Sequence, residues 1–370
     1  MILNLDQAKK VKSEFDKYKG SAALELYLAA QNERMSLTEY MEKLDPTEKD
    51  MDGKPASHLD AFERHLMVSE IYLSGPNQFT VEQLVSTAQY LMPEMVLREI
   101  KAGMEVAEKF SYKDCIAATV PSKTSTYHPL YIPDQNLDST RTRNQKSFGR
   151  TAGPGKGGAF PVVSIRKREK DIVINDNGRV IEAAYSVIRD YGWSDFAVYL
   201  RLIGAQLAAD KLFDLYDLAV SGDGTVGAAT DTFDGTAGTL SYQDLIHNQA
   251  SFSAPFTMNR VLAPLNSFET VLSMAQFQDP LSGWEFQKSG KVVTPMGARM
   301  KQISATPGGT PTGTVIATLD SRYAAKEVIS QALTVEADKI INRKFEEAVA
   351  SEESRFCVIA DGALKRIVWT

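Results

Sequence analysis

Only two cysteines occur, Cys115 and Cys357, far apart along the chain, and the four histidines (His58, His65, His128, His247) are scattered. That excludes a disulfide framework and any zinc site of CxxC or HExxH spacing, and two reduced, buried thiols are expected. No apolar run approaches the roughly eighteen residues that a membrane helix needs. The opening stretch, MILNLDQAKKVKSEFDKYKG, is polar and lysine-rich without an apolar centre, so it does not read as a secretory signal. There is no GxSxG elbow and no triad pattern that would arm a nucleophile. Gly149 to Gly158 (GRTAGPGKGG) fails as a phosphate loop: five residues separate Gly149 from Gly155, and Gly157 stands where a hydroxyl would hold magnesium. Asp223, Asp231 and Asp234 lie in a glycine-rich stretch without the calcium-loop pattern, so plain turns are expected there. No catalytic, cofactor or metal residue is therefore expected. The net charge of −6 argues against a surface that coats nucleic acid all over.

What is present is length and patterning. At 370 residues, 43% of them hydrophobic, the chain exceeds one compact core. Residues 1 to about 110 read as short helices. Ser36-Leu-Thr-Glu39 and Thr80-Val-Glu-Gln83 have capping-box spacing, and Pro93 suits the first turn of a helix over MPEMVLREIKAGMEVAEKF. From Ser122 to Phe160 the chain is rich in Thr, Ser, Pro, Gly and Arg and predicts an extended arm or long loop. Two strand-like runs follow, VVSIRKREKDIVI and RVIEAAYSVI, and the Asn175 to Gly178 stretch between them predicts a tight hairpin turn.

The clearest element is a long helix over Ser194 to Ala219, a spine. Phe196, Leu200, Ile203, Leu207, Leu212, Leu215 and Ala219 recur at helical spacing, with Arg201, Asp210, Asp214 and Asp217 largely on other faces. The glycine-rich Ser221-Gly-Asp-Gly-Thr225 should end it. Beyond it, SYQDLIHNQASF predicts a helix, RVLAPL a strand and NSFETVLSMAQF a helix. Strand-like segments lie around Leu333 to Ala337 and Ser354 to Ala360.

This order of arm, projecting hairpin, long helix, glycine-rich stop, mixed insertion and returning strands resembles the major capsid protein of tailed bacteriophages. The local matches are DLYDLAVSGDGTVGA, like the family's acidic spine end and its turn; IVINDNGRVIEAAYSVIRDYG, like the strands before the spine; FTMNRVLAPLNSFETVL, with Pro264 and Asn266 arranged around Leu265; and ESRFCVIADGALKRI, like the closing strands. The resemblance covers roughly Ser122 to Thr370. It implies an α+β, Hong Kong 97-type capsid fold: an N-terminal helical region and arm over 1–121, an extended arm and E-loop hairpin over 122–180, a P-domain spine over 181–225, an A-domain over 226–330 and P-domain return strands over 331–370. In relatives, extra N-terminal helices are either a scaffold removed on maturation or a retained arm; because the chain begins at Met1, retention is expected.

The implied function is self-assembly, as pentamers and hexamers, into the icosahedral shell of a virion made in a bacterial cytoplasm, with no enzyme activity, no cofactor and no membrane. Portal, scaffold or decoration proteins, and packaged double-stranded DNA bound without sequence specificity, are the expected partners. An encapsulin-type compartment and a two-domain enzyme with a flexible lid are the alternatives. Between Arg141 and Lys170 nine basic residues face one acid, Glu169. A solvated loop and DNA contact both remain open. The preferred reading seats this loop on a neighbouring subunit: Arg150, Lys156, Arg166, Lys167 and Arg168, with Phe160, Val162 and Val163 for apolar contact, against a spine face of Asp210, Asp214 and Asp217. Gly222, Asp223 and Gly224 form the expected turn into the A-domain. Lys156 suits a Lys–Asn cross-link at the loop tip, but FEEAVASEES holds no asparagine and the nearest is Asn342, so none is expected.

Overall fold

The computed structural model describes residues 29–47, 59–73, 78–83, 91–106, 111–131, 165–184, 190–278, 297–340 and 345–370, apart from residues 31, 34, 69, 82, 307 and 308. The fold is α+β and divides into two compact units. The first comprises residues 1–106, 177–205 and 333–352, the second residues 107–176, 206–332 and 353–370.

In the first unit, helices α1 (Leu37–Leu44), α2 (Ala61–Val68) and α3 (Met92–Val106) come from the N-terminal region. The starts follow from local chemistry. Glu39 N–H donates to Ser36 Oγ at 3.2 Å while Ser36 N–H donates to Glu39 Oε2 at 2.9 Å, completing the expected capping box. Thr80 and Gln83 make the same reciprocal pair, at 3.3 and 2.9 Å. Pro93 falls in the first turn of α3, where its missing N–H leaves no helical bond unmade. Buried Phe62, Leu66, Met95, Leu97 and Ile100 supply apolar mass, and Arg64 and Arg98 tie it together. Arg64 reaches Asp45 through Nε and Nη2 at 3.0 and 2.9 Å. Arg98 pairs with Asp60, donates to Thr38 Oγ1 and lies 4.2 Å over the Phe62 ring.

The long helix α4 runs Trp193–Ser221, its residues 193–205 in the first unit and 206–221 in the second. It starts one residue before the expected span and stops two after it. Twenty-nine residues make a rod of about 43 Å.

The second unit holds a five-stranded sheet, spatial order β7 (Thr230–Asp231), β13 (Leu364–Val368), β10 (Val315–Leu319), β8 (Arg260–Pro264), β9 (Arg299–Ile303). Strand β10 is antiparallel to both β13 and β8, while β7 and β9 pair in parallel at the edges. Every residue of β10 is buried, as expected of a central strand. Helices α5 (Tyr242–Ser251) and α6 (Leu265–Ser273) and strand β8 fall on the segments that the sequence predicted. A second sheet is ordered β1 (Thr119–Pro121), β11 (Ala325–Ile340), β12 (Phe345–Val358), β6 (Asn175–Ala184), with β1 parallel to β11. Strands β11 and β12 are longer than the sequence suggested and run through both units.

The tight turn expected at Asn175 to Gly178 is not there. Asn177 and Gly178 lie inside β6, and Gly178 is absent from the residues with positive φ. A Cβ on Gly178 would fall 3.2 Å from the Ala350 carbonyl oxygen, so this glycine permits close strand approach instead of a turn. The hairpin has other arms. Strand β2 (Thr126–Tyr127) pairs antiparallel with β5 (Ile172–Val173), and β3 (Leu130–Tyr131) with β4 (Arg166–Lys167). Two residues on one strand (128–129) face four on the other (168–171) between these ladders, which is a bulge.

Candidate functional site

The end of α4 shows how its sequence becomes geometry. Gly222 and Gly224 have φ of 84° and 88°, conformations that glycine adopts without steric cost. Between them Asp223 is buried at 2% exposure. Its Oδ1 accepts from the Thr225 N–H at 2.8 Å, the Thr225 hydroxyl at 2.7 Å and the Val226 N–H at 2.7 Å. Its Oδ2 accepts from the Val358 N–H of β12 at 3.0 Å. One carboxylate thus closes the turn and fastens it to a strand distant in sequence. Asp231 behaves similarly, accepting from Phe233 and Val368 N–H groups, both at 3.1 Å. These aspartates form turns, and among the described residues no group of three His, Cys, Asp or Glu side chains is placed to hold a metal ion.

One helical face carries Asp210, Asp214 and Asp217, spaced i, i+4, i+7. Asp217 accepts from the Ser221 hydroxyl at 2.8 Å. The Asp214 carboxyl is pushed up to about 6, first by partial burial and then by Asp210 and Asp217, with Lys211 and Arg355 opposing. The sequence named this face. It missed the cation beside it: Lys211 Nζ lies 2.7 Å from Glu327 Oε1, and Glu327 is only 1% exposed. Lys211 also stands 5.0 Å over the Tyr112 ring. A lysine on a helix reads as a solvated residue, and nothing local points to a glutamate on β11.

The two-stranded ribbon places the predicted basic residues unequally. Arg166 and Lys167 are exposed in β4. Arg168 is engaged within the chain: its Nη2 lies 3.2 Å from Asp361 Oδ1, its guanidinium stands 5.5 Å over the Tyr131 ring, and its N–H donates to the Pro129 carbonyl at 2.8 Å. His128 and Asp171 meet at 2.5 Å beside the bulge. Large apolar side chains stand open on the ribbon, with Ile165 69% and Val173 58% exposed and Leu130 also bare. Arg150, Lys156, Phe160 and Val162 lie outside the described residues, as does Val163. Both cysteines are buried thiols, and burial pushes Cys357 up to about 12, so it stays protonated.

No family model matches this sequence, and no curated protein does. Solved structures do. A virus-like particle protein from Pyrococcus furiosus is 10% identical with a TM-score of 0.45, over 75% of this chain and 99% of that one. The capsid of cyanophage P-SCSP1u is 12% identical with a TM-score of 0.44, over 70% and 88%. A phage-related protein from Bordetella bronchiseptica is 10% identical with a TM-score of 0.46, over 73% and 95%. From the long helix onward the chain's own α+β layout repeats the order read from its sequence: helix, Gly-Asp-Gly stop, mixed strands and helices, and long returning strands.

Proposed function

We propose that this chain is a shell subunit of the Hong Kong 97 type, which assembles as pentamers and hexamers into the icosahedral capsid of a tailed phage around double-stranded DNA. The observation that carries the reading is the ribbon of β2–β5 and β3–β4. It is two strands wide, and it displays Ile165, Val173 and Leu130 to solvent. One face of the ribbon is covered within the chain, where Ile172 packs with Ile174, Val328 and Cys357; the apolar side chains left open elsewhere on it favour association. A neighbouring copy of the chain supplies the missing cover, and the exposed Arg166 and Lys167 suit an acidic seat such as the face of Asp210, Asp214 and Asp217. Exposed ion pairs are individually weak, so the apolar side chains contribute most of that contact. Weak contacts repeated under closed symmetry let misplaced subunits leave before the shell closes.

The test is negative-stain microscopy of the chain expressed alone, beside a variant carrying Leu130→Ser, Ile165→Ser and Val173→Ser. Closed shells from the first and a folded, soluble, unassembled subunit from the second are expected. Normal particles from the variant overturn the role of the ribbon, and no particles from the wild type overturn the shell reading. Nuclease-resistant DNA in particles from infected cells distinguishes a viral shell from a compartment that carries protein cargo.

A further inference from the structure

Within the first unit, α3 and the first half of α4 touch through glycine on both sides. A Cβ added to Gly103 would fall 2.1 Å from the Arg201 carbonyl oxygen, and one added to Gly204 would fall 2.0 Å from the Ile100 carbonyl oxygen. Each glycine thus lays its Cα against the backbone of the other helix, at a distance no side chain could share. Such crossings gain dispersion and Cα–H···O contacts over a continuous backbone surface. Leu97, Ile100, Ala197 and Leu200, on neighbouring turns of the two helices, are buried as well. Two further ties reinforce the contact. Arg201 Nε pairs with Glu99 Oε2 at 2.6 Å. The entry to α4 is held by a bridge between Thr80 and Gly192 and by the Ser194 hydroxyl donating to Gln78 Oε1 at 2.8 Å.

The remaining N-terminal helices are fastened to α3 in turn. Thr38 donates to Glu94, and Arg98 joins Thr38 to Asp60. Each link in this series, from α1 and α2 to α3 and from α3 to α4, is a direct contact.

We infer that helices α1, α2 and α3 are a fixed layer of the subunit, seated on the first half of α4 by the reciprocal glycine crossing and staying with it when the chain is cut after Val106, and that they also remain when the subunit enters a particle. The second clause rests on the shell reading; the first does not. A removable segment would be expected to rest on contacts that water can replace on release, as exposed ion pairs allow. A glycine-to-backbone crossing instead rests on close-packed contacts that water does not reproduce on release.

The experiment places a specific protease site between Glu108 and Lys109 of the full chain. After cutting, both fragments should co-elute on size exclusion in native buffer and separate only in denaturant. Departure of the N-terminal fragment in native buffer overturns the inference. The same cut chain carrying Gly204→Ala should release the fragment at least tenfold more readily, whereas Val198→Ser, on the opposite face of α4, should leave the release of the fragment unchanged; equal retention in all three overturns the role of the crossing. If Gly204→Ala does not fold, the unsubstituted cut chain still decides retention, and Glu99→Gln replaces Gly204→Ala to read the contact, with release expected at lower salt than for the wild type. Intact mass measurement of particle subunits should give the uncut chain, and subunits lacking residues 36–106 overturn the second clause. A chain that forms no particles at all leaves the co-elution result standing and counts against the shell reading alone.

Discussion

Replacing Asp223 by alanine removes one carboxylate and leaves four donors without their acceptor. These are the N–H groups of Thr225, Val226 and Val358 and the Thr225 hydroxyl, at 2.7 to 3.0 Å. Hydrogen bonds to a charged acceptor contribute about 1.5–3 kcal/mol each, and an orphaned buried donor costs about 1–3 kcal/mol. The Val358 N–H lies in β12 and its bond to Asp223 is buried, so it bears the larger cost. Turn donors near the exposed Gly224 can recruit water. Counting Val358 in full and the turn donors in part gives a loss of about 3–5 kcal/mol for Asp223→Ala. Asp223→Asn keeps one acceptor oxygen for the turn but turns an NH₂ toward the Val358 N–H, so about 2 kcal/mol is expected. Hydrogen exchange by mass spectrometry reads the effect locally. Peptides covering Val226 and Val358 should lose protection in both variants, the alanine more than the asparagine, while peptides from α1 and α2 keep theirs. Unchanged exchange at Val358 in Asp223→Ala would refute the claim that this carboxylate fastens the helix end to β12.

Three further perturbations follow from the same geometry. Lys211→Met strands Glu327 as an uncompensated buried charge and should cost about 3–5 kcal/mol, whereas Lys211→Met with Glu327→Leu should recover most of it; equal urea midpoints for single and double variants would count against a paired site. Because the Asp214 carboxyl sits at about 6, above its unfolded value of 3.8, the folded subunit takes up its proton first. Its contribution is therefore most favourable below about pH 4 and fades as pH rises to about 6. The carboxyl is crowded by the protein on one side yet still reaches solvent, so screening discounts the shift: Asp214→Asn should stabilise the unassembled subunit by no more than about 1 kcal/mol at pH 7 and not at pH 4. Parallel pH-stability curves for the two proteins would contradict that sign. Arg168→Ala removes the Asp361 pair and the Tyr131 contact; a loss of about 1.4 kcal/mol, tenfold in local opening, is expected in hydrogen exchange of the amide at position 168, which donates to the Pro129 carbonyl, and unchanged exchange there would show that the ribbon base is held by other contacts.

Features that local chemistry decides were legible in the sequence. The capping boxes at Ser36 and Thr80, Pro93 in the first turn of α3 and the glycine stop after α4 involve residues within a few positions of each other. The errors and omissions share one cause, partners far along the chain. Asn177-Gly178 carries the dipeptide of a tight turn, yet the approach of Ala350 and Ser351 keeps it extended. Gly103 and Gly204 look like weaknesses inside helices, and only the crossing partner shows what the missing Cβ permits. Lys211 and Glu327 lie 116 positions apart, so no helical or strand spacing connects them. Of the proposed contact residues, the acidic face and the Gly-Asp-Gly turn were readable because helix periodicity and turn chemistry are local. The engagement of Arg168 by Asp361 was not.

The faces of α4 bear on why such a chain would assemble. The sequence suggested a single apolar stripe with charges elsewhere. In the first half of the helix, Trp193, Ala197, Leu200 and Gly204 are buried on one face, yet Val198 and Tyr199 are 61% and 67% exposed and Leu202 is open beside them. Val198 and Leu202 stand about half a turn from the buried set. A helix apolar on opposite sides suits a layer covered from both. Covering one such side chain stabilises by about 1.5–3 kcal/mol, too little to hold two copies together once the loss of their independent motion is counted. Repeated at every contact of a closed shell, the same increment accumulates without any single contact becoming irreversible. The second half of α4, where Leu212, Leu215 and Ala219 are buried, supplies the complementary property. The Lys211–Glu327 pair and the Asp223 turn hold the helix in one register against β11 and β12, since burying either carboxylate elsewhere would leave it unpaired. Apolar faces that can be covered reversibly, on a helix fixed by buried polar contacts, are what the proposed assembly requires.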